Sequence, residues 1–420
     1  MHKMKKLIKI LFVIIGIVLI LIIIGIGYFY VAFNNYNFED THELTEDNLV
    51  YFNNSYEDAR KDFRSKSDEL LEKYNGTKRF QLPVQSKIDT DLTIDFCYIP
   101  GSENADKILI LSSGVHGVEG YVGSAIQLFF MENYINNEFL NKTSILLIHS
   151  VNPYGFKYDR RVTENNVDIN RNSAIDKKLY QIVNEGYPKV YDLINPKGEV
   201  ETGSFENRFF FVNAIKEIAK KSMPVLRQAI VQGQYRFPDG LFYGGNDFEP
   251  QIKDLVQIID TICDPYQTIF SIDLHTGYGE RGKIHLFPNP VEDPIKKRME
   301  TIFEGYQIDW GDSDDFYTVT GDFIDYIGKI NHDKTFIPMT FEYGTMNSQT
   351  TIGSIKSLHI MILENQGEQY GFLSDEDSQK VKNDFIKMYY PVSDAWKSHI
   401  IDETKILFDN SLKRFSELEL

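Results

Sequence analysis

Hydrophobic and polar positions divide the chain into one long apolar run followed by many short ones. From Ile10 to Phe33 no charge interrupts the sequence, and a helix of that length can span the roughly 30 Å hydrocarbon core of a bilayer. Beyond it, Phe63, Leu70, Leu71 and Tyr74 recur at the spacing of one helix face. Strands are predicted over 80–84, 92–99, 107–111, 144–150, 268–274, 283–287 and 335–341, the second alternating as Leu-Thr-Ile-Asp-Phe-Cys-Tyr-Ile. After Gly120, Ile126, Phe129, Phe130 and Tyr134 fall at helix spacing. The stretch 173–234 reads as mostly helical, with a break near Asn195-Pro196-Lys197-Gly198. Helices are also expected over 294–306 and 355–364, and over 378–415 with an interruption at Pro391. Strands alternating with helices predict an α/β fold: a three-layer α/β/α sandwich with a mixed, mainly parallel central sheet.

The pattern also divides the chain lengthwise. Residues 1–33 form a basic flank (Lys3, Lys5, Lys6, Lys9) and a transmembrane anchor, with Tyr28, Phe29 and Tyr30 as interfacial aromatics. The flank predicts an inside N-terminus and everything after Asn34 outside the cell. A cleaved signal peptide is the rival, but so long a run lacks a clear small-x-small cleavage site. Residues 34–78 are expected to be a polar stalk and an amphipathic helix, and 79–420 a catalytic domain with a helical tail. The net charge of −17 argues against nucleic acid as a partner. Cys97 and Cys263 could pair in an oxidising exterior, but two residues far apart in sequence set no disulfide framework, and the plainer reading is two buried thiols.

Candidate chemistry gathers where buried strands end. Leu109-Ile-Leu-Ser-Ser-Gly-Val-His116-Gly-Val-Glu119-Gly120 runs from strand to helix through a glycine-flanked turn, the place where open α/β sheets hold their ligands. A second strand end leads to Arg160-Arg161 and to Asp168-Ile-Asn170-Arg171. A third carries Asp273-Leu-His275-Thr, and a fourth Phe341-Glu342-Tyr343-Gly344. A catalytic zinc ion takes three ligands from His and carboxylate and keeps one position open. His116, Glu119 and His275 meet that count. Glu342 is the candidate general base, and Arg160 or Arg161 the fixed cation for developing oxyanion charge. Asp168 and Asp273 are candidates to hold the outer nitrogens of the ligating imidazoles.

His116-Gly-Val-Glu119, Asn152-Pro-Tyr-Gly-Phe, Val167-Asp-Ile-Asn-Arg171-Asn and the later His275 and Glu342 together resemble the zinc carboxypeptidase (carboxypeptidase A-like) superfamily. The likeness is strongest to its bacterial branch catalogued as a domain of unknown function, and covers roughly 107–345. The resemblance implies one Zn2+ on His116, Glu119 and His275, Glu342 as base, Arg161 or its neighbour Arg160 polarising the scissile carbonyl, and Asp168 behind the first zinc histidine. It further implies that Asn170 and Arg171 grip a substrate's terminal carboxylate, that Tyr317 caps the substrate, and that Ile324 stands at the side-chain specificity position. Asp273-Leu-His275-Thr is instead similar to the aspartoacylase and succinylglutamate desuccinylase branch. The stretch Phe237-Pro-Asp-Gly-Leu-Phe-Tyr-Gly-Gly245 has no counterpart and is expected to shape a substrate pocket.

Other histidines receive plainer readings. His149 and His285 lie in strands and are expected to be packed core residues; His332, His359 and His399 sit in loop or helix text and are expected at the surface. Gly277-Tyr-Gly279-Glu-Arg-Gly282 spells a dinucleotide pattern, but a strand follows it instead of a helix. No Gly-x-Ser-x-Gly elbow is present, which disfavours a serine hydrolase. The expectation is a membrane-anchored, outward-facing zinc metallopeptidase removing a C-terminal residue from peptides. The alternatives are a deacylase of N-acyl amino acids and a surface binding protein on the same scaffold.

Overall fold

The computed structural model describes residues 2–310 and 319–418. Seven strands, β1 (Lys78–Pro83), β2 (Thr93–Ile99), β3 (Lys107–Ser113), β4 (Thr143–His149), β5 (Thr268–Gly277), β6 (Ile284–Phe287) and β7 (Thr335–Gly344), make one sheet in the order β1-β2-β4-β3-β5-β7-β6. The inner pairs β4·β3, β3·β5 and β5·β7 are parallel, and antiparallel strands close both edges. β3 and β4 are buried along their whole length. This is why they read as unbroken apolar runs without alternation. Edge strand β1 alternates between exposed and half-buried positions.

The longer helices are α1 (His2–Asn34), α2 (Tyr56–Lys73), α3 (Gly120–Asn133), α4 (Phe210–Lys221), α5 (Met223–Val231), α6 (Pro250–Cys263), α7 (Asp293–Ile302), α8 (Phe323–Ile330), α9 (Thr351–Tyr370), α10 (Asp375–Tyr389) and α11 (Asp394–Glu417). Short polar side chains start many of them: Ser55, Asp322, Thr350, Ser374 and Ser393 each accept a hydrogen bond from a backbone N–H of the first turn. Helices α2, α3, α7 and α11 pack together, and α6 packs with α8, so the α/β/α layering expected from the alternation is realised. Pro391 separates α10 from α11.

Three features depart from the sequence-based expectation. Residues 173–204 form mainly single turns, and regular helix resumes in strength only with α4. Side chains there take the backbone donors that a helix would use: Asn184 Oδ1 accepts from the N–H of Gly186 and Tyr187 at 3.0 Å each. Helix α6, amphipathic and started by Pro250, was not expected at all. The third departure is the segment 34–78, which lies on the body instead of standing off as a stalk. Tyr36 donates to the Met346 carbonyl, Asp40 pairs with Arg281 at 2.6 Å, Asn48 bonds Asp402 at 2.8 Å, and α2 buries Tyr56, Ala59 and Phe63.

Helix α1 is long and apolar enough to cross a membrane. Its final turns join the body. Phe33 is buried in a second hydrophobic cluster with Phe210, Phe211, Leu226, Ile230 and Ile355, and Phe29 and Tyr30 pack against its margin. Phe29 and Phe33 lie 6.3 and 5.6 Å from Phe211, ring to ring.

Candidate metal centre

The inner strands decide where the polar groups go. β3 has β4 on one side and β5 on the other, so the chain leaves its carboxyl end at the point where strand order reverses, and a crevice opens there. Gly114 adopts φ +63 at this exit, and an added Cβ would overlap the Ser150 side chain. A Cβ on Gly117 would overlap the backbone of Gly155. The turn carrying His116 and Glu119 therefore lies backbone to backbone against the neighbouring loop. On the other side, register sets Ser112 beside Asp273 and His275 beside Glu342. With a period of two along β5, Asp273 and His275 point to one face.

His116, Glu119 and His275 converge, their ligand atoms all within 4.8 Å of one another, and all three are buried. His116 Nδ1 lies 2.9 Å from Glu119 Oε1, and His275 Nδ1 lies 2.9 Å from Glu119 Oε2. The two Nδ1 atoms face each other at 3.1 Å. Each imidazole meets a carboxylate on its other side: Asp168 Oδ1 is 3.3 Å from His116 Nε2, and Asp273 Oδ2 is 2.6 Å from His275 Nε2. Asp273 is fixed in turn by the Ser112 hydroxyl at 2.7 Å. In its neutral form His275 carries its proton on Nε2, held by Asp273, and keeps a lone pair on Nδ1. Two imidazoles and a carboxylate, with their inner sides turned towards one another, are a donor set that fits a divalent ion such as zinc.

Electrostatics agree with the geometry. Burial alone would raise the Glu119 pKa, but the charges of His116 and His275 hold it well below the usual carboxylate range. His275 is opposed by burial yet pushed well above the usual imidazole value by Asp273 and Glu119. Glu342, one strand over, is pushed up to about 8 by burial and by the charge on Glu119. Its Oε1 accepts from the Tyr278 N–H at 2.9 Å.

The adjacent arginines diverge. Their carbonyls accept from the N–H groups of Val118 and Gly117, which stitches the two loops together. Arg161 Nη2 then reaches His116 Nε2 at 2.6 Å, Nη1 reaches Glu119 at 3.4 Å, and Nε reaches Asp168 at 3.3 Å. Arg160 turns away to Glu364 at 2.8 Å. Arg161 and Arg171 both lie 5.4 Å from the Phe242 ring. The Phe237–Gly245 stretch thus reaches the site, and Phe242 holds φ +54, a costly backbone for an aromatic residue.

Asn170 and Arg171 line the same cavity as the cluster, which encloses about 880 Å³. Arg171 donates to the carbonyls of Val231 and Asn170, three bonds in all, and its five-donor guanidinium keeps two N–H groups. Asn170 Oδ1 accepts from the Phe323 N–H at 2.8 Å. Tyr317 lies outside the described residues. Ile324 is buried at the start of α8, where Asp322 and Asp325 face the cavity instead.

Sequence reasoning missed Tyr389, which lines the cavity, accepts from the Thr276 hydroxyl through its carbonyl and interacts electrostatically with Arg161. Only its place just before the Pro391 break marks it in the sequence. Thr276, whose N–H donates to Glu119 at 3.0 Å, follows His275 directly and was legible as its neighbour. His149 is buried as expected, whereas His285 is only half-buried on β6 and lines the cavity. His359 is buried, against expectation, because Phe210 and Phe33 cover it.

The family model described as a protein of unknown function (DUF2817) matches residues 52–403. No curated relative matches the chain. Similar solved structures include bovine thrombin-activatable fibrinolysis inhibitor in complex with tick carboxypeptidase inhibitor, 14% identical with a TM-score of 0.40 over 79% of this chain and 99% of that one. The carboxypeptidase A of Helicoverpa armigera is 13% identical, with a TM-score of 0.39 over 79% and 73%. A metallo-carboxypeptidase from Pseudomonas aeruginosa is 12% identical, with a TM-score of 0.36 over 72% and 68%. All three are distant likenesses.

Proposed function

The chain belongs to the DUF2817 family, and we propose that it is a membrane-anchored zinc hydrolase that removes a C-terminal residue from peptides outside the cell. One observation carries this reading: two imidazoles and a carboxylate from two strand ends converge, and a carboxylate stands behind each imidazole. His116, Glu119 and His275 would hold the ion. When bound, a zinc ion supplies Lewis acidity and lowers the pKa of water.

The remaining work falls to the chain. Glu342, a buried carboxyl whose pKa burial and the Glu119 charge push up, is the group placed to take a proton from water and return it to a leaving amine. Arg161 sets a permanent cation beside the cluster, where oxyanion charge would develop. Asn170 and Arg171 offer an amide and a guanidinium to a substrate carboxylate on the cavity wall. The apolar helix α1 would place the body outside, with its basic flank inside.

Hydrolysis of a free-acid peptide, its C-terminally amidated form and an N-acyl amino acid tests the reaction. The free-acid peptide should be cleaved at least tenfold faster, with loss of roughly 10²–10⁴-fold in kcat in Glu342→Gln. A preference for the N-acyl amino acid would replace this reading by deacylation. Zinc binding without any turnover that Glu342→Gln abolishes would leave only a binding protein.

A further inference from the structure

The cavity is larger than one amino-acid side chain needs. Its 880 Å³ stands near the top of the roughly 300–1,000 Å³ found for small-molecule sites. Away from the metal cluster its wall changes character. Helices α4, α5 and α9 supply Ala214, Ile218, Leu226, Ile230, Leu358 and Met361, with Arg227 as a charged exception on α5. The lining is therefore richest in charged groups around the strand ends and mainly apolar along these helices, where Ser354 and Ser357 of α9 are further polar members.

The same helices receive the end of α1. Phe33 rests on Phe211 of α4 and His359 of α9, Tyr30 lies 5.0 Å from Phe209, and Asn34 Nδ2 donates to the Arg208 carbonyl. The uncharged run from Ile10 to Phe33 extends about 36 Å at 1.5 Å per residue, slightly more than a hydrocarbon core of about 30 Å. Phe29 to Phe33 thus stand at the bilayer boundary while docked on α4, so no spacer separates membrane from body. The outer surface of this corner suits that position. Phe205, Val212 and Val225 are exposed, as is Lys216 on α4, while Lys220 and Lys221 pair with Glu217; exposed apolar residues beside a lysine suit helices resting on a lipid surface.

We propose that the apolar arm of the cavity takes a long acyl chain from an amphiphile at the membrane surface and presents the amphiphile's amide to the metal cluster. The substrate class is then a peptide that carries a long acyl chain, bound in preference to one without it. The idea rests on the hydrolase reading for the fate of the amide, while the acyl-binding arm stands on the cavity walls alone.

Photolabelling separates the two. The full chain, stripped of metal in lipid nanodiscs, is irradiated with dodecanoyl-glycine carrying a diazirine at the end of its chain. Labels should map to 214–231 and 354–361. Unlabelled dodecanoyl-glycine should compete and acetyl-glycine should not. Leu226→Trp, which fills the arm, and Ile218→Gln, at a half-buried position that tolerates the change, should each cut labelling at least fivefold. Labels confined to α1, equal competition by both glycines, or undiminished labelling in both variants would overturn the proposal. Since no turnover is read, a chain that labels as expected but hydrolyses nothing would sink the hydrolase reading and leave this one standing.

Discussion

His275 and His359 are equally hidden, 4% and 5% exposed, yet their surroundings drive them in opposite directions. His275 has Asp273 on one nitrogen and Glu119 on the other, and its pKa rises well above the usual value despite burial. His359 is sandwiched by Phe210 and Phe33, meets the Asn207 amide oxygen at 3.3 Å, and is pushed down to about 3 by burial. His149 belongs with it: stacked on Phe63, bonded to the Ser124 hydroxyl at 3.0 Å, and also pushed down to about 3. Burial alone makes a neutral, inert imidazole. A carboxylate behind the ring makes a ligand.

Replacing one histidine of each kind gives the sharpest contrast. His275→Ala should abolish stoichiometric zinc binding, read by mass spectrometry of the purified chain, and reduce hydrolysis to background. His359→Ala should keep its zinc and lose stability by cavity formation, about 2–4 kcal/mol. Equal zinc in both variants would break the distinction. Next in size are the neighbouring arginines. Arg161→Gln should lower kcat by about 10²–10³ with the fold intact. Arg160→Gln should leave kcat of the folded fraction within about twofold while costing about 3–5 kcal/mol for stranding Glu364. The reverse outcome would move the catalytic cation to Arg160.

Asp273→Asn removes the carboxylate and keeps the shape. Zinc affinity should fall about 10- to 100-fold in a chelator competition, whereas Ser124→Ala behind His149 should not change it. The smallest effect is on acid stability. His149 and His359 have folded pKa values of about 3, against about 6.5 unfolded. The unfolded state therefore binds more protons throughout that window, and stability falls as pH drops from 6.5 towards 3. At pH 5 each should cost about 2 kcal/mol relative to pH 7. Denaturation of metal-free chain at the two pH values, with His359→Phe as comparison, should show the loss shrink by that amount.

How far the sequence reaches follows the same physics. The inner strands could be read because a strand covered on both faces needs an apolar run, the edge strands from shorter apolar stretches, and the cluster because its members follow buried runs directly. Local text could not distinguish Arg160 from Arg161, since which guanidinium turns inward depends on Glu364, two hundred residues away. His359 was misread because the rings that hide it belong to α1 and α4. The turns over 173–204 read as helix in the sequence because their order comes from amide side chains such as Asn184 and Asn195 engaging distant backbone. Tyr389 carries no local mark of its role beyond the proline that follows.

The socket around Phe33 bears on how long such a molecule lasts where it is first installed. Shed by a cut after Asn34, the body would surrender a ring wedged between Phe211 and His359 and open a greasy hole to water. Cut ahead of Phe29, it would drag an oily stub into solution. Either fragment invites clumping, so if α1 is the anchor proposed above, a chain built this way is poorly suited to release.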